Sequence, residues 1–206
     1  MRHVGILCAV LLATSFLATS RVQAGEFNTQ LNVGDAAPAW NNLPGTDGKQ
    51  HSLSDLQKKK IVVVVFTCNS CAVAADYEDR IVAFANEHAK DVAVVAISVS
   101  KHPDDSLPKM KELAEKKKFP FAYLLDESQQ IGKAYGAAYT PEFFVLGPDR
   151  KIIYMGAMDD SSIAASVKTN YLAPAIEAAL AGSAPGTTET LARGCRIRYA
   201  RERRSR

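Results

Sequence analysis

Cys68-Asn69-Ser70-Cys71 places two thiols three residues apart, a spacing at which they can close a disulfide or share one sulfur-exchange reaction. What precedes and follows the pair gives it meaning. An unbroken apolar run, Ile61–Phe66, leads in, and residues at helical spacing (Val73, Tyr77, Ile81, Phe84, Ala85) lead out. A thiol at a helix N-terminus meets unpaired N–H groups and the positive end of the helix dipole, which favour the thiolate. Cys68 is therefore expected to attack, and Cys71, one turn further in, to resolve the mixed disulfide. Two further positions could serve the same chemistry. Thr140-Pro141 opens a later strand, where ordinary strand entry would also explain a proline. Cys195 follows Ala192-Arg193-Gly194 in a tail without apolar period and is expected to sit on a mobile backbone. It reads either as a spare thiol or one making an intermolecular bridge, or as a third redox thiol that exchanges with the pair and closes a bridge to Cys68.

A metal would need about four ligands. His51, His88 and His102 are scattered and show no paired spacing, so neither a metal nor another cofactor is expected.

The cysteines act in a context set by the first 24 residues. Arg2 and His3, an apolar run from Val4 to Leu17 and small residues ending Val22-Gln23-Ala24 make a secretory signal, with cleavage expected between Ala24 and Gly25. The apolar run is short for a membrane span, and Cys8 within it would be discarded. The mature chain would be periplasmic or secreted, with no stable membrane insertion. Its three remaining cysteines, Cys68, Cys71 and Cys195, are too few and too odd in number for a disulfide-stapled scaffold. Export with one close pair favours cysteines that react.

Charge excludes one class of partner. The formal net charge is +3, but Arg2, Arg21 and the seven Arg of 193–206 supply much of the basic side. Without those segments, 16 basic residues face 21 acidic ones. A mildly acidic body with a short basic tail is no nucleic-acid footprint, and the tail reads as a solvated end.

The elements that must position the thiols run in the order βαβαβα, then ββα. Turn signals crowd residues 33–48, with short strands expected near Ala39–Asn42 and Gln50–Ser52. Ile61–Phe66 reads as a central strand buried on both faces. A helix is expected over Asn69–Glu87, strands over Val92–Ser98 and Phe121–Leu125, and helices over Ser106–Lys118 and Gln129–Tyr135. Phe143–Leu146 and Lys151–Tyr154 flank Gly147-Pro148-Asp149 as a hairpin, and a last helix runs to Ala181 with a bend or restart at Pro174. This predicts an α/β, three-layer chain with a central mixed sheet, ligands at the carboxyl ends of its strands, an N-terminal β extension and an irregular C-terminal tail. The expected divisions are a signal peptide (1–24), one domain (25–182) and the basic tail carrying Cys195 (183–206).

With Thr140-Pro141 following the Cys pair in this order, the chain resembles the thioredoxin superfamily. The resemblance implies that Pro141 is cis, beside the disulfide, and that the backbone of Thr140 pairs with an extended substrate. Val33-Gly34-Asp35-x-Ala37-Pro38, Asp47-Gly48-Lys49 with Ser52-Leu53, and Phe66-Thr67-Cys68-Asn69-x-Cys71 resemble the redoxin branch, which holds the AhpC/TSA peroxiredoxins and the TlpA/ResA reductases. Tyr77-Glu78-Asp79-Arg80, Thr140-Pro141-x-Phe143-Phe144, Tyr154-x-Gly156 and the late Gly194-Cys195 bring it nearest to the peroxiredoxin-like CxxC group. The late Gly-Cys supports the redox reading of Cys195. Ala72 stands where that group usually has proline, which leaves the helix start less rigid. Val65 stands where peroxiredoxins carry the threonine that orients peroxide, and Thr67, adjacent to Cys68, is expected to point elsewhere.

The function expected is an exported thiol–disulfide oxidoreductase, more reducing than oxidising, acting as a monomer on protein thiols and disulfides with a separate electron donor. A thiol peroxidase with Cys68 peroxidatic is the alternative. Copper delivery of the Sco type is a third and poorer fit, since no histidine follows His102. Thioredoxins often carry a buried acid that assists the second thiol. Glu78 and Glu142 are the candidates, although both read as surface or ion-paired acids, and Asp126, Asp159 and Asp160 read as caps or loop acids.

Overall fold

The computed structural model describes residues 25–201; the signal sequence and its cleavage site lie outside the described residues. Five strands form the central sheet, in spatial order β5-β4-β3-β7-β8. They are β3 (Ile61–Phe66), β4 (Val92–Ser98), β5 (Ala122–Leu125), β7 (Glu142–Leu146) and β8 (Ile152–Gly156). β3 is parallel to β4 and antiparallel to β7, so the sheet is mixed with β3 at its centre. Every residue of β3 is buried, which is why its sequence does not alternate. Two short pairings lie outside this sheet: β1 (Leu43–Pro44) with β2 (Gln50–His51), and β6 (Tyr139–Thr140) with β9 (Cys195–Arg196). The first short strand starts later than Ala39, the sequence expectation.

The pleat sends Ile61, Val63 and Val65 to one face and Val62, Val64 and Phe66 to the other. The first face packs against α2 (Glu78–Glu87), α3 (Leu107–Lys117) and α5 (Leu172–Leu180) through Ile81, Phe84, Met110 and Ile176. The second packs against α4 (Gln130–Tyr135) and the N-terminal segment through Tyr135, Leu31, Trp40 and Leu53. No helix among the described residues is long and apolar enough to cross a membrane.

Where one helix was expected over 69–87, two occur. α1 (Ala72–Ala75) is a single turn, and the Tyr77 N–H bonds to the Ala74 carbonyl before α2 starts. The Tyr77 ring is buried, 6.5 Å from Phe143, with the Arg80 guanidinium over its other side at 4.0 Å. Holding that ring fixes the interruption. Pro174 does not restart α5; it lies in the first turn, where a missing N–H breaks no helical bond.

The described part of the tail, to Arg201, is irregular apart from β9 and largely exposed, but it is anchored to the domain. Thr188 and Thr190 exchange backbone bonds with Met155 at the sheet edge, and the Thr190 hydroxyl meets the Tyr154 hydroxyl at 2.6 Å. The Glu189 carboxylate accepts from the N–H groups of Glu26, Phe27 and Asn28, tying the tail to the first described residues. Further on, Gln129 donates to the Arg198 carbonyl, and the Tyr199 hydroxyl donates to the Ala137 carbonyl at 2.8 Å. The sequence concealed this because the anchors are backbone groups and polar side chains, which leave no apolar period.

Candidate active site

β3 delivers Cys68 and Cys71 to the carboxyl end of the sheet. Thr67 still bonds through its N–H to the Ile97 carbonyl, and the chain then turns into α1. Cys71 is the N-cap of that turn: its sulfur accepts the Ala74 N–H at 3.3 Å. The helix start therefore serves Cys71, whereas the sequence reading assigned that benefit to Cys68.

Asn69 and Ser70 are pinned from a loop that the sequence reading passed over. The Asp105 carboxylate is 1% exposed and accepts both the Ser70 N–H (2.9 Å) and the Ser70 hydroxyl (2.6 Å). Asn69 donates to the Asp104 carbonyl and accepts from the Tyr123 hydroxyl, each at 3.0 Å. The available signal was position: His102-Pro103-Asp104-Asp105 leaves β4 at the same sheet end where Cys68 leaves β3.

Thr140 closes the site from the opposite side. The Thr140–Pro141 peptide is cis, as the resemblance implied. The Thr140 carbonyl accepts from Cys71 Sγ at 3.1 Å, and its hydroxyl lies 3.8 Å from Cys68 Sγ. Cys195 comes to the same point. It pairs with Thr140 in the antiparallel register of β6 and β9, and its carbonyl accepts from the Thr140 hydroxyl at 3.4 Å. Cys195 lines the same cleft as Cys68 and Cys71, and its thiol and that of Cys71 are near enough to influence each other's ionisation. The sequence reading directed Cys195 at Cys68; the pairing of β6 and β9 sets it opposite Thr140, whose carbonyl takes the Cys71 thiol.

Gly194 makes that pairing possible. A Cβ there would lie 2.0 Å from the Thr140 carbonyl oxygen, so only glycine lets the two backbones come this close.

The three thiols differ in burial and in acidity. Cys71 is 1% exposed and Cys68 9%, while Cys195 is exposed. Burial pushes the Cys68 thiol up; the Asp105 carboxylate adds to this, and hydrogen bonds with Ser70 and Thr140 oppose it. Burial also works against a thiolate at Cys71, but hydrogen bonds from Cys195, Thr140 and the Ala74 N–H prevail and hold it below the usual thiol range. Cys195 is pushed up, first by partial burial and then by its bond to Cys71. Cys68, Cys71, Thr140 and Cys195 open onto one cleft of about 670 Å³, whose rim includes Lys101, His102, Arg196 and Arg198. Thr67 lines this cleft beside Cys68, contrary to the sequence expectation, while Val65 is fully buried in the core. Among the described residues, no three His, Cys, Asp or Glu side chains gather as a metal site requires.

The acids sort differently from the sequence reading in one case. Glu78 pairs with Lys117 at 3.2 Å, Asp159 pairs with Arg80, and Asp126 accepts the Ile131 N–H at 2.8 Å at the start of α4. Glu142 is not a surface acid. It is 8% exposed, accepts the N–H groups of Ala138 (2.6 Å) and Tyr139 (2.9 Å), and burial holds its carboxyl above the usual range. It braces the strand that carries Thr140.

Comparison with known proteins places the family and the fold. The AhpC/TSA family model matches residues 33–155. The thiol-disulfide oxidoreductase ResA of Bacillus subtilis is 27% identical over 167 residues, covering 77% of this chain and 86% of ResA. An uncharacterized conserved protein from Geobacillus kaustophilus superposes with a TM-score of 0.79 at 31% identity, covering 85% of this chain and 96% of that one. The thioredoxin domain of a thiol-disulfide oxidoreductase from Bacteroides vulgatus superposes with a TM-score of 0.51 at 22% identity, covering 61% and 88%, and speaks to the fold alone.

Proposed function

The chain belongs to the AhpC/TSA family, in the redoxin branch of the thioredoxin superfamily, and from that premise we propose that it is an exported thiol–disulfide oxidoreductase cycling Cys68 and Cys71 between dithiol and disulfide. One observation carries the reading: both thiols meet Thr140, the residue before the cis-proline, at the floor of an open cleft. Export rests on the basic, apolar and small-residue pattern of the first 24 residues.

In the reductive direction, Cys68 is the attacking thiol because it is the more accessible of the pair. Its thiolate displaces one sulfur of a substrate disulfide and forms a mixed disulfide. Cys71 then attacks Cys68 Sγ, releasing the second substrate thiolate and leaving Cys68–Cys71 oxidised. Cys71, held toward the thiolate against its burial by Cys195, Thr140 and the Ala74 N–H, suits the resolving step. The raised Cys68 thiol supports a reducing poise, since a dithiol pair becomes strongly oxidising when its reduced form is stabilised. Protein disulfides are the substrates, a separate thiol donor restores the dithiol, and neither metal nor cofactor takes part.

Trapping tests the assignment. Cys71→Ser is expected to accumulate mixed disulfides with a disulfide substrate such as oxidised insulin, and Cys68→Ser to accumulate none. Equal trapping by the two variants would overturn the order of attack.

A further inference from the structure

The cycle proposed above leaves the pair oxidised at the floor of the cleft, where Cys71 is closed off and Cys68 is reached only through the cleft. Cys71 is 1% exposed and Cys68 9%, and β9 lies beside both. The exposed sulfur belongs to Cys195, which is paired with Thr140 beside Cys71 and opens on the same cleft.

We propose that Cys195 is the port through which reducing equivalents enter: it exchanges with the oxidised pair at Cys71, and a dithiol protein reductant then attacks the resulting Cys71–Cys195 bridge from the surface. This rests on the reading of Cys68 and Cys71 as the exchanging pair and goes beyond it.

The chemistry balances without an outside oxidant. The Cys195 thiolate attacks Cys71 Sγ; the Cys71–Cys195 bond forms as the Cys68–Cys71 bond breaks. Cys68 leaves as a thiolate and takes up the proton that Cys195 gave up. The oxidation state is unchanged, but one sulfur of the disulfide is now exposed. A thiolate of the reductant attacks Cys195 Sγ and expels Cys71 as a thiolate. The second thiol of the reductant attacks the mixed disulfide, freeing Cys195. Two electrons and two protons have entered, the chain holds three thiols and the reductant holds one disulfide.

Attack at Cys71 rather than Cys68 follows from the backbone pairing. Gly194 and Cys195 lie against the Thr140 carbonyl, the oxygen that takes the Cys71 thiol at 3.1 Å, whereas Cys68 Sγ lies 3.8 Å from the Thr140 hydroxyl. Position is fixed by the backbone on both sides of Cys195: Gly194 packs on the Thr140 carbonyl, and the Ile197 N–H bonds to the Ala138 carbonyl at 2.9 Å.

Two measurements test the proposal. Cys68→Ser, oxidised at low protein concentration, is expected to give monomer with a Cys71–Cys195 bridge by peptide mass mapping. Cys71→Ser is expected to give no Cys68–Cys195 bridge. Free thiols or only cross-linked dimers from Cys68→Ser would overturn the contact. In the second measurement, the oxidised wild-type chain is mixed with thioredoxin lacking its resolving cysteine. The captured thioredoxin is expected on Cys195, with capture lost in Cys195→Ser. Capture on Cys68 or Cys71, or no capture while the same thioredoxin traps oxidised insulin, would overturn the port. Failure of the wild-type chain to form any Cys68–Cys71 bridge would instead count against the exchanging pair itself.

Discussion

Thr140 and Cys195 face each other across the two-residue ladder of β6 and β9, and the threonine contacts every cysteine of the site. Its carbonyl takes the Cys71 thiol at 3.1 Å, while its hydroxyl lies 3.8 Å from Cys68 Sγ and donates to the Cys195 carbonyl. One residue before the cis-proline thus sets the mutual placement of three sulfurs, with the tail as the third side of the site. The proposed chemistry follows from how this junction is held, and three of its supports can be changed by substitution.

Asp105 holds the segment between the cysteines and also places a negative charge near Cys68. In Asp105→Asn the side chain keeps one oxygen for Ser70 but loses the charge. Since that charge contributes to the raised Cys68 pKa, the thiol should ionise at lower pH. Alkylation of Cys68 against pH, followed in a Cys195→Ser background, should move to lower pH in the variant. Asp105→Ala should be the more damaging change, because it removes the acceptor of both the Ser70 N–H and the Ser70 hydroxyl. An unmoved alkylation profile in Asp105→Asn would show that the charge does not act on Cys68.

Val65 offers no hydroxyl toward the cleft and is fully buried in the core. The chain should therefore reduce insulin disulfides far faster than it consumes hydrogen peroxide, both followed through a coupled thiol donor. Fast peroxide turnover that disappears in Cys68→Ser would make the chain a peroxidase first and a disulfide reductase second.

Gly194→Ala should uncouple Cys195 from the pair. The added methyl would sit 2.0 Å from a backbone oxygen, which cannot swing aside as a side chain can. β9 must lift, so the Cys71–Cys195 bridge expected in Cys68→Ser should fail to form in the double variant. Tail residues near 195 should lose amide-exchange protection while β3 keeps its own. Normal bridging in the double variant would show that the close approach is not required.

Glu142 gives a pH dependence of stability with a definite sign. Burial raises its pKa on folding, so the native chain holds the proton more tightly than the unfolded chain does. Stability is then lost as pH rises from the unfolded value to the folded value, and no more is lost above that. Glu142→Gln removes the titration and keeps an oxygen for the Ala138 and Tyr139 N–H groups. In urea titrations at stepped pH, the stability of the variant relative to wild type should grow across that interval and level off. A difference independent of pH would rule out a carboxyl that titrates on unfolding.

The sequence by itself determined the sheet and the reacting pair. Ile61–Phe66 has no polar residue to offer solvent, so it had to be central, and the change of period after Thr67 placed Cys68 and Cys71 at the end of that strand. Those signals are local: apolar period, turn residues and a short spacing along one segment. What the tertiary structure decided depends on segments distant in sequence. Asp105 reaches Ser70, and Cys195 is brought opposite Thr140, beside Cys71. None of these contacts has a periodicity, because each is a polar or backbone bond between chain segments joined only by folding. The acidity order of the thiols belongs to this second class. It was legible as a helix-terminus effect, but which sulfur would receive the N–H was decided by where the turn began, at Cys71.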